Sequence, residues 1–141
     1  MKILICGDRN WTDKQKIKDE LLEVLADRKN LFAGSSPISI VIIHGGARGA
    51  DTLAGEVAKE LGMRVAVYKA EWEKFGKAAG VLRNLEMLND GKPDFVLAFN
   101  SDISKSKGTA NMIKISEKRG IPVKLITVAK ISSSNGSCRW K

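Results

Sequence analysis

Short apolar runs alternate along this chain with longer stretches in which apolar residues recur every three or four positions. The runs fall at residues 2–6, 38–43, 63–68, 94–99 and 123–128. They are rich in Ile, Val and Leu and bounded by polar or glycine-containing segments, as buried strands are. Between them the helical period takes over. Residues 13–29 place Ile17, Leu21, Val24 and Leu25 on one face, after a Thr12-Asp13 pair that supplies an N-cap signal. Residues 52–61 repeat the pattern with Leu53, Ala54, Val57, Ala58 and Leu61, and Gly62 stands in the C′ position. A third helix is expected over 74–89 with Ala78, Leu82, Leu85 and Leu88 inward, its first turns weakened by Gly76 and Gly80. A fourth is expected over 109–119, stopped by Gly120 and followed by Pro122.

Five strands alternating with four helices imply an α/β fold, a parallel sheet covered on both faces, because each crossover is right-handed. Ligands of such sheets sit beyond the carboxyl ends of the strands, where strand order reverses. That rule sorts the polar residues. Asp8, Arg9, Asn10, Gly46, Arg48, Asp51, Glu71, Trp72, Asn100, Ser101, Gly108 and Thr109 all fall at the ligand end, whereas Lys2 and Asp94 fall at the other. One shared cleft is the expectation.

The densest chemistry in that set is His44-Gly45-Gly46-Ala47-Arg48-Gly49-Ala50-Asp51, a strand exit leading into a helix start. Glycines let a backbone approach a ligand closely, free N–H groups at a helix start face an anion, and an arginine adds a planar fork of donors suited to phosphate. A tight turn with glycines kept only for packing is the alternative. A second such loop ends in Gly108-Thr109, where a helix N-terminus and a hydroxyl can both donate to an anion, or where Thr109 simply caps the helix. Arg83 and Asn84 approach the ligand end if the third helix tilts inward; the arginine otherwise snorkels at the core's edge. Trp11 and Trp72 can stack on a base or pack on the sheet rim. His44 ends a strand and reads as a rim histidine with a satisfied ring rather than a catalytic one.

Length and composition narrow the class. The 141 residues suffice for a single domain, expected over 1–129 with a Ser/Asn/Gly-rich flexible tail over 130–141. No apolar run nears the roughly 20 residues needed to cross a bilayer, residues 1–6 are too short for a signal peptide, and a cytoplasmic protein without membrane contact is expected. Cys6 and Cys138 form no CxxC or Cys/His spacing, so no metal site, disulfide framework or cofactor is expected. The formal charge of +8 favours an anionic partner. Its lysines are scattered along helix faces, which weighs toward a small anion over nucleic acid.

Four motifs in order, Gly7-Asp8-Arg9, His44 through Asp51, Arg83-Asn84-Leu85-Glu86-Met87 and Lys107-Gly108-Thr109, resemble the YspA/YpsA-related branch of the SLOG superfamily over about residues 1–128. The resemblance implies a Rossmann-like three-layer sandwich with a five-stranded parallel sheet in the order 3-2-1-4-5. It also implies a nucleotide or nucleotide-derived ligand, ADP-ribose-like or a nucleoside phosphate, in a nucleotide-signalling or phage–bacterium conflict setting. Gly7, Asp8, Arg9, Gly45, Gly46, Arg48, Gly49, Asp51, Trp72, Arg83, Asn84, Asn100, Gly108 and Thr109 are the expected ligand contacts. The superfamily also holds the LOG phosphoribohydrolases, which pair through helices, and the DNA-processing protein DprA. A homodimer, glycosidic or phosphate-bond hydrolysis, and single-stranded nucleic-acid binding are therefore implied alternatives. LOG enzymes carry RKxxM and PGGxGTxxE; here Asn84 replaces the lysine of the first and Met112 stands at the glutamate of the second. Hydrolysis would need another carboxylate, for which Glu71 and Asp8 are the candidates.

Overall fold

Alternate residues of the first strand part to opposite faces of the sheet, and the two halves of the core follow from that. The structure is a computed structural model describing residues 1–31, 40–101 and 106–127. Its elements run β1 (Lys2–Gly7), α1 (Lys14–Leu31), β2 (Val41–His44), α2 (Ala50–Glu60), β3 (Arg64–Val67), a short α3 (Trp72–Phe75), α4 (Ala79–Gly91), β4 (Phe95–Phe99), α5 (Lys107–Lys118) and β5 (Val123–Ile126). Ile3 and Ile5 of β1 point to a cluster with Ile17 and Leu21 of α1 and Ala54, Val57 and Ala58 of α2. Leu4 and Cys6 point the other way, to Met87 and Leu88 of α4 and Met112 of α5. Each fully buried Ile or Leu contributes roughly 1.5–3 kcal/mol by leaving water, so both helical layers are held firmly to the sheet.

All four strand pairings are parallel and the order is β3-β2-β1-β4-β5, as expected. The chain builds outward from β1 to β3, then crosses to the opposite side for β4 and β5. The order therefore reverses between β1 and β4, where Gly7 lies opposite Phe99. Beyond those two residues the Asp8 N–H donates to the Phe99 carbonyl at 2.8 Å, and the crevice opens above that bond. A side chain at position 7 would place its Cβ 2.1 Å from the Phe99 carbonyl oxygen, so glycine is required there.

Helix boundaries follow local chemistry. Asp13 caps α1 through a 3.0 Å bond from the Lys16 N–H. Gly62 and Gly120 adopt positive φ just past α2 and α5, as C′ glycines do. The third helix departs from expectation. Gly76, at φ 56, ends α3 after one turn, and a 3-10 turn at Gly76–Ala78 leads into α4. The inner face of α4 is Ala79, Asn84, Met87, Leu88 and Gly91, while Ala78 and Leu82 are exposed. Of the expected inward residues Leu88 is buried and Leu85 half-buried, and the core-facing stripe is turned toward Asn84 and Gly91, which a count of apolar positions passes over.

Of the two roles open to it, Trp11 takes the packed one in the structure. It is 4% exposed, meets Phe99 edge-on at a centroid distance of 5.6 Å, and donates its indole N–H to the Asp13 carbonyl. It belongs to the core beneath the cleft and leaves only a sliver of its surface exposed. The 38–39 start of the second strand, the Leu25 side chain, the 102–105 part of the second loop, residue 128 of the fifth strand and the tail over 130–141 lie outside the described residues. Among the described residues no helix is long and apolar enough to cross a membrane.

Candidate functional site

Two lobes of one cleft lie over the carboxyl ends of the strands. The first, of about 530 Å³, is lined by Arg9, the Gly45–Arg48 turn, Lys69, Trp72 and Arg83. The second, of about 660 Å³, continues past Arg9, Trp72 and Arg83 over Gly7, Asp8 and Asp51 to the start of α5 at Ser106–Thr109. Its floor includes Cys6 and Met87, and burial pushes the Cys6 thiol well above its usual range, so it is an inert thiol.

The glycine turn forms an anion cradle, and the anion it grips is the chain's own. The N–H groups of Gly45 and Ala47 donate to Asp51 Oδ2 at 2.8 and 3.4 Å, and the Gly46 N–H donates to His44 Nδ1 at 3.0 Å. The Ala50 N–H at the start of α2 donates to the Asp8 carbonyl. Four amides expected to face a ligand are thus engaged inside the protein, and Asp51, 5% exposed, pins the turn onto the strand exit. Burial pushes Asp51 up to about 6, against the pull of the two amides and of Arg83. His44 is held below its usual value, first by burial and then by the Arg83 charge; this keeps Nδ1 free to accept the Gly46 proton. Histidine here is a structural acceptor, as expected. Gly49, at φ 83, would place a Cβ 2.4 Å from the carbonyl oxygens of Asp8 and Arg9, so the two ligand-end loops pack backbone to backbone.

What that packing presents to the cleft is positive charge. Arg83 leans from α4 onto the turn and donates to the Gly45 carbonyl at 2.8 Å, while its Nε donates to Asn84 Oδ1 at 3.1 Å. A Cβ at position 45 would sit 2.1 Å from the guanidinium, so this glycine makes room for Arg83. Asn84, 4% exposed, donates onward to the Gly108 carbonyl and to Asn111 Oδ1 at 3.3 and 3.1 Å, tying α4 to the first turn of α5. There the Ser106 hydroxyl donates to Thr109 Oγ1 and makes no cap to the backbone. The first-turn N–H groups of α5 have no intrahelical acceptor and no side-chain cap. Among the described residues none of Arg9, Arg48, Lys69, Arg83, Lys77 or Lys107 forms an ion pair.

A model of the YspA, cpYpsA-related SLOG family matches residues 1–75, which carry β1, β2, the glycine turn and the Trp72 lip. The chain belongs to this family. It is also 39% identical over 127 residues to the Gene 61 protein of Mycobacterium phage D29, an alignment covering 86% of this chain and 93% of that one. Within this SLOG chain, the expected contacts Gly7, Asp8, Arg9, Gly45, Gly46, Arg48, Asp51, Trp72, Arg83, Asn84, Gly108 and Thr109 all line the two lobes. Gly49 lines a neighbouring depression with Arg9 and Arg48. Asn100 is fully buried beside the crevice, and its N–H donates to the Ile126 carbonyl, so it lines neither lobe. Glu71 is likewise absent from both linings; its exposed carboxylate lies 4.0 Å from Lys74. Asp8 is half-buried at the cleft and accepts the Asn10 N–H and the Ser101 hydroxyl. Lys69 and Lys77 were not singled out from the sequence of this family member. Lone lysines read as solvated face, and the one available signal was that Lys69 follows a strand at its ligand end.

Proposed function

We propose that this protein binds a nucleotide or nucleotide-derived ligand, an ADP-ribose-like molecule or a nucleoside phosphate, with its phosphate held by side-chain cations and the start of α5. The supporting observation is the convergence of Arg9, Arg48, Lys69 and Arg83 on one lobe without a carboxylate partner among the described residues. Clustered cations repel one another in the empty protein, and a bound phosphate relieves that cost while accepting bidentate guanidinium bonds. Gly108 and Thr109 supply the uncapped helix end. Trp72, half exposed at the lip, supplies an aromatic face for a base, and Asp8 an acceptor for a ribose hydroxyl. Membership of the SLOG family and a relative encoded by a phage support a role in nucleotide signalling or phage–bacterium conflict.

Titration calorimetry against ADP, ADP-ribose and a nucleoside mono- and triphosphate panel tests the reading. Binding in the micromolar range that weakens at least tenfold in Arg48→Ala is expected. Binding no tighter than millimolar, or unchanged by that substitution, removes it.

Hydrolysis of the same ligand is the second reading, and Asp8 is the observation behind it, since it is a carboxylate lining the second lobe together with Arg9 and Arg83. Release of free base or phosphate over hours from a bound nucleotide distinguishes an enzyme from a binder.

A further inference from the structure

Arg9 and Arg48 line more than the main cleft. Both also border a third depression, of about 520 Å³, on the far side of the turn, between the β1–α1 loop and the first turn of α2. Its other walls are Asn10, Trp11, Thr12, Gly49, Thr52 and Leu53. The two exposed arginines thus stand on a ridge between two hollows, each bordered by both of them. Neither has an ion-pair partner among the described residues. A phosphate on such a ridge has space on both flanks. A terminal phosphate monoester fills only one. Each hollow lies within the roughly 300–1,000 Å³ that holds a whole small ligand, so a single nucleotide leaves one empty.

The chemistry of the hollows differs. The main cleft carries the further cations Lys69 and Arg83, whereas the third depression has no charged wall besides the ridge itself and offers Leu53 and the methyl groups of two threonines. That environment suits an uncharged planar ring and disfavours another phosphate. We infer that the ligand is a dinucleotide, two nucleosides joined through phosphate, with the linkage on the Arg9–Arg48 ridge. One nucleoside lies in the main cleft beside Trp72, and the other lies in the depression beside Thr12 and Leu53. The inference rests on the phosphate-binding reading above and adds the second nucleoside and its place.

Calorimetry with ADP and diadenosine diphosphate, GDP and diguanosine diphosphate, and 5′-phosphorylated diadenylate and diguanylate separates the possibilities. At least one dinucleotide should bind ten times or more tighter than its mononucleotide. The pyrophosphate- and phosphodiester-linked compounds then identify the linkage. Thr12→Trp, at an exposed position bordering only the third depression, should bring that ratio to about one. In the unsubstituted protein the amide resonances of Thr12, Thr52 and Leu53 should shift with the dinucleotide and not with the mononucleotide. Mononucleotide binding with no dinucleotide advantage, or an advantage that survives Thr12→Trp without shifts at those amides, overturns the inference and leaves phosphate binding standing. Binding that keeps tightening from dinucleotide to a ten-residue oligonucleotide overturns it in favour of a polymer. Failure of every compound to bind removes both readings.

Discussion

Gly108→Ala should stabilise the protein and weaken its ligand binding, two effects of opposite sign from one methyl group. Gly108 is the second residue of α5, its φ is not positive, and a Cβ built there meets nothing within 4 Å. No feature of the described fold requires glycine at this position. Alanine restricts the unfolded chain and suits a helix better, a gain of about 0.4–1 kcal/mol, or roughly 2–3 °C in Tm for a domain of this size. The Cβ of a helical residue tilts toward the helix N-terminus. At position 108 it would therefore enter the cleft over the uncapped first-turn amides, where a phosphate must come within about 3 Å to accept a hydrogen bond. Displacing a charge-assisted bond of that kind costs about 1.5–3 kcal/mol, a tenfold or greater loss of affinity. Thermal denaturation with and without ADP-ribose or ADP, together with calorimetric affinities, measures both effects. A variant more stable and equally tight would show that the ligand does not touch the start of α5. A variant less stable would show that glycine there serves the fold.

Two further substitutions probe the turn. Gly45→Ala puts a Cβ against the Arg83 guanidinium and must displace it from the Gly45 carbonyl. Because the obstacle is the end of a flexible side chain, stability should fall by only about 1 kcal/mol while affinity drops as far as in Arg83→Ala; parallel denaturant titrations and calorimetry check the pair. Asp51→Asn addresses the internal anion. With Asp51 raised from 3.8 to about 6 in the folded protein, the native state holds a proton that the unfolded chain lacks between about pH 4 and 6. Its contribution is therefore full near pH 4 and lost as pH rises through 6, on the order of 3 kcal/mol. His44, lowered by burial and Arg83, acts in the opposite sense and destabilises as pH falls below its unfolded value. Stability measured from pH 4 to 7 should therefore fall more steeply on acidification in Asp51→Asn than in the unsubstituted protein, and equal slopes would refute the assignment.

The parallel sheet and its two helical layers were legible because they rest on periodicity, which needs only apolar spacing and the handedness of crossovers, whereas the strand order, and with it the reversal point, was legible only through the family resemblance. The phase of α4 was not legible. Its buried stripe runs through Asn84 and Gly91, which a count of apolar positions passes over, and the break at Gly76 was equally hidden, since nothing in the local sequence distinguishes a glycine that breaks a helix from one tolerated within it. Trp11 shows a related limit. Its loop position was evident, but whether an indole turns inward depends on Phe99, distant in sequence and brought opposite β1 only by strand pairing. The residue types of the glycine turn were read as a cradle for a ligand's anion, whereas the anion that its Gly45 and Ala47 amides hold is the Asp51 carboxylate. That Asp51 would fill it could be suspected from the six-residue spacing to Gly45, yet the same spacing serves an acidic residue that merely favours a helix start.

The internal occupant changes what the turn is for. With the Gly45, Gly46 and Ala47 amides committed to Asp51 and His44, the turn's outward assets include a carbonyl and a side chain: the Gly45 oxygen that anchors Arg83, and Arg48 itself. Asn84 completes the arrangement. Its amide oxygen accepts from Arg83 and its nitrogen donates to the Gly108 carbonyl, so one buried side chain sets the spacing between the cationic lobe and the α5 start. A phosphate site built from backbone amides fixes the anion at one point. One built from guanidinium groups, of which Arg83 is braced in this way, would spread positive charge along the cleft and across the Arg9–Arg48 ridge, and that breadth would suit the proposed ligand with more than one phosphate-linked moiety.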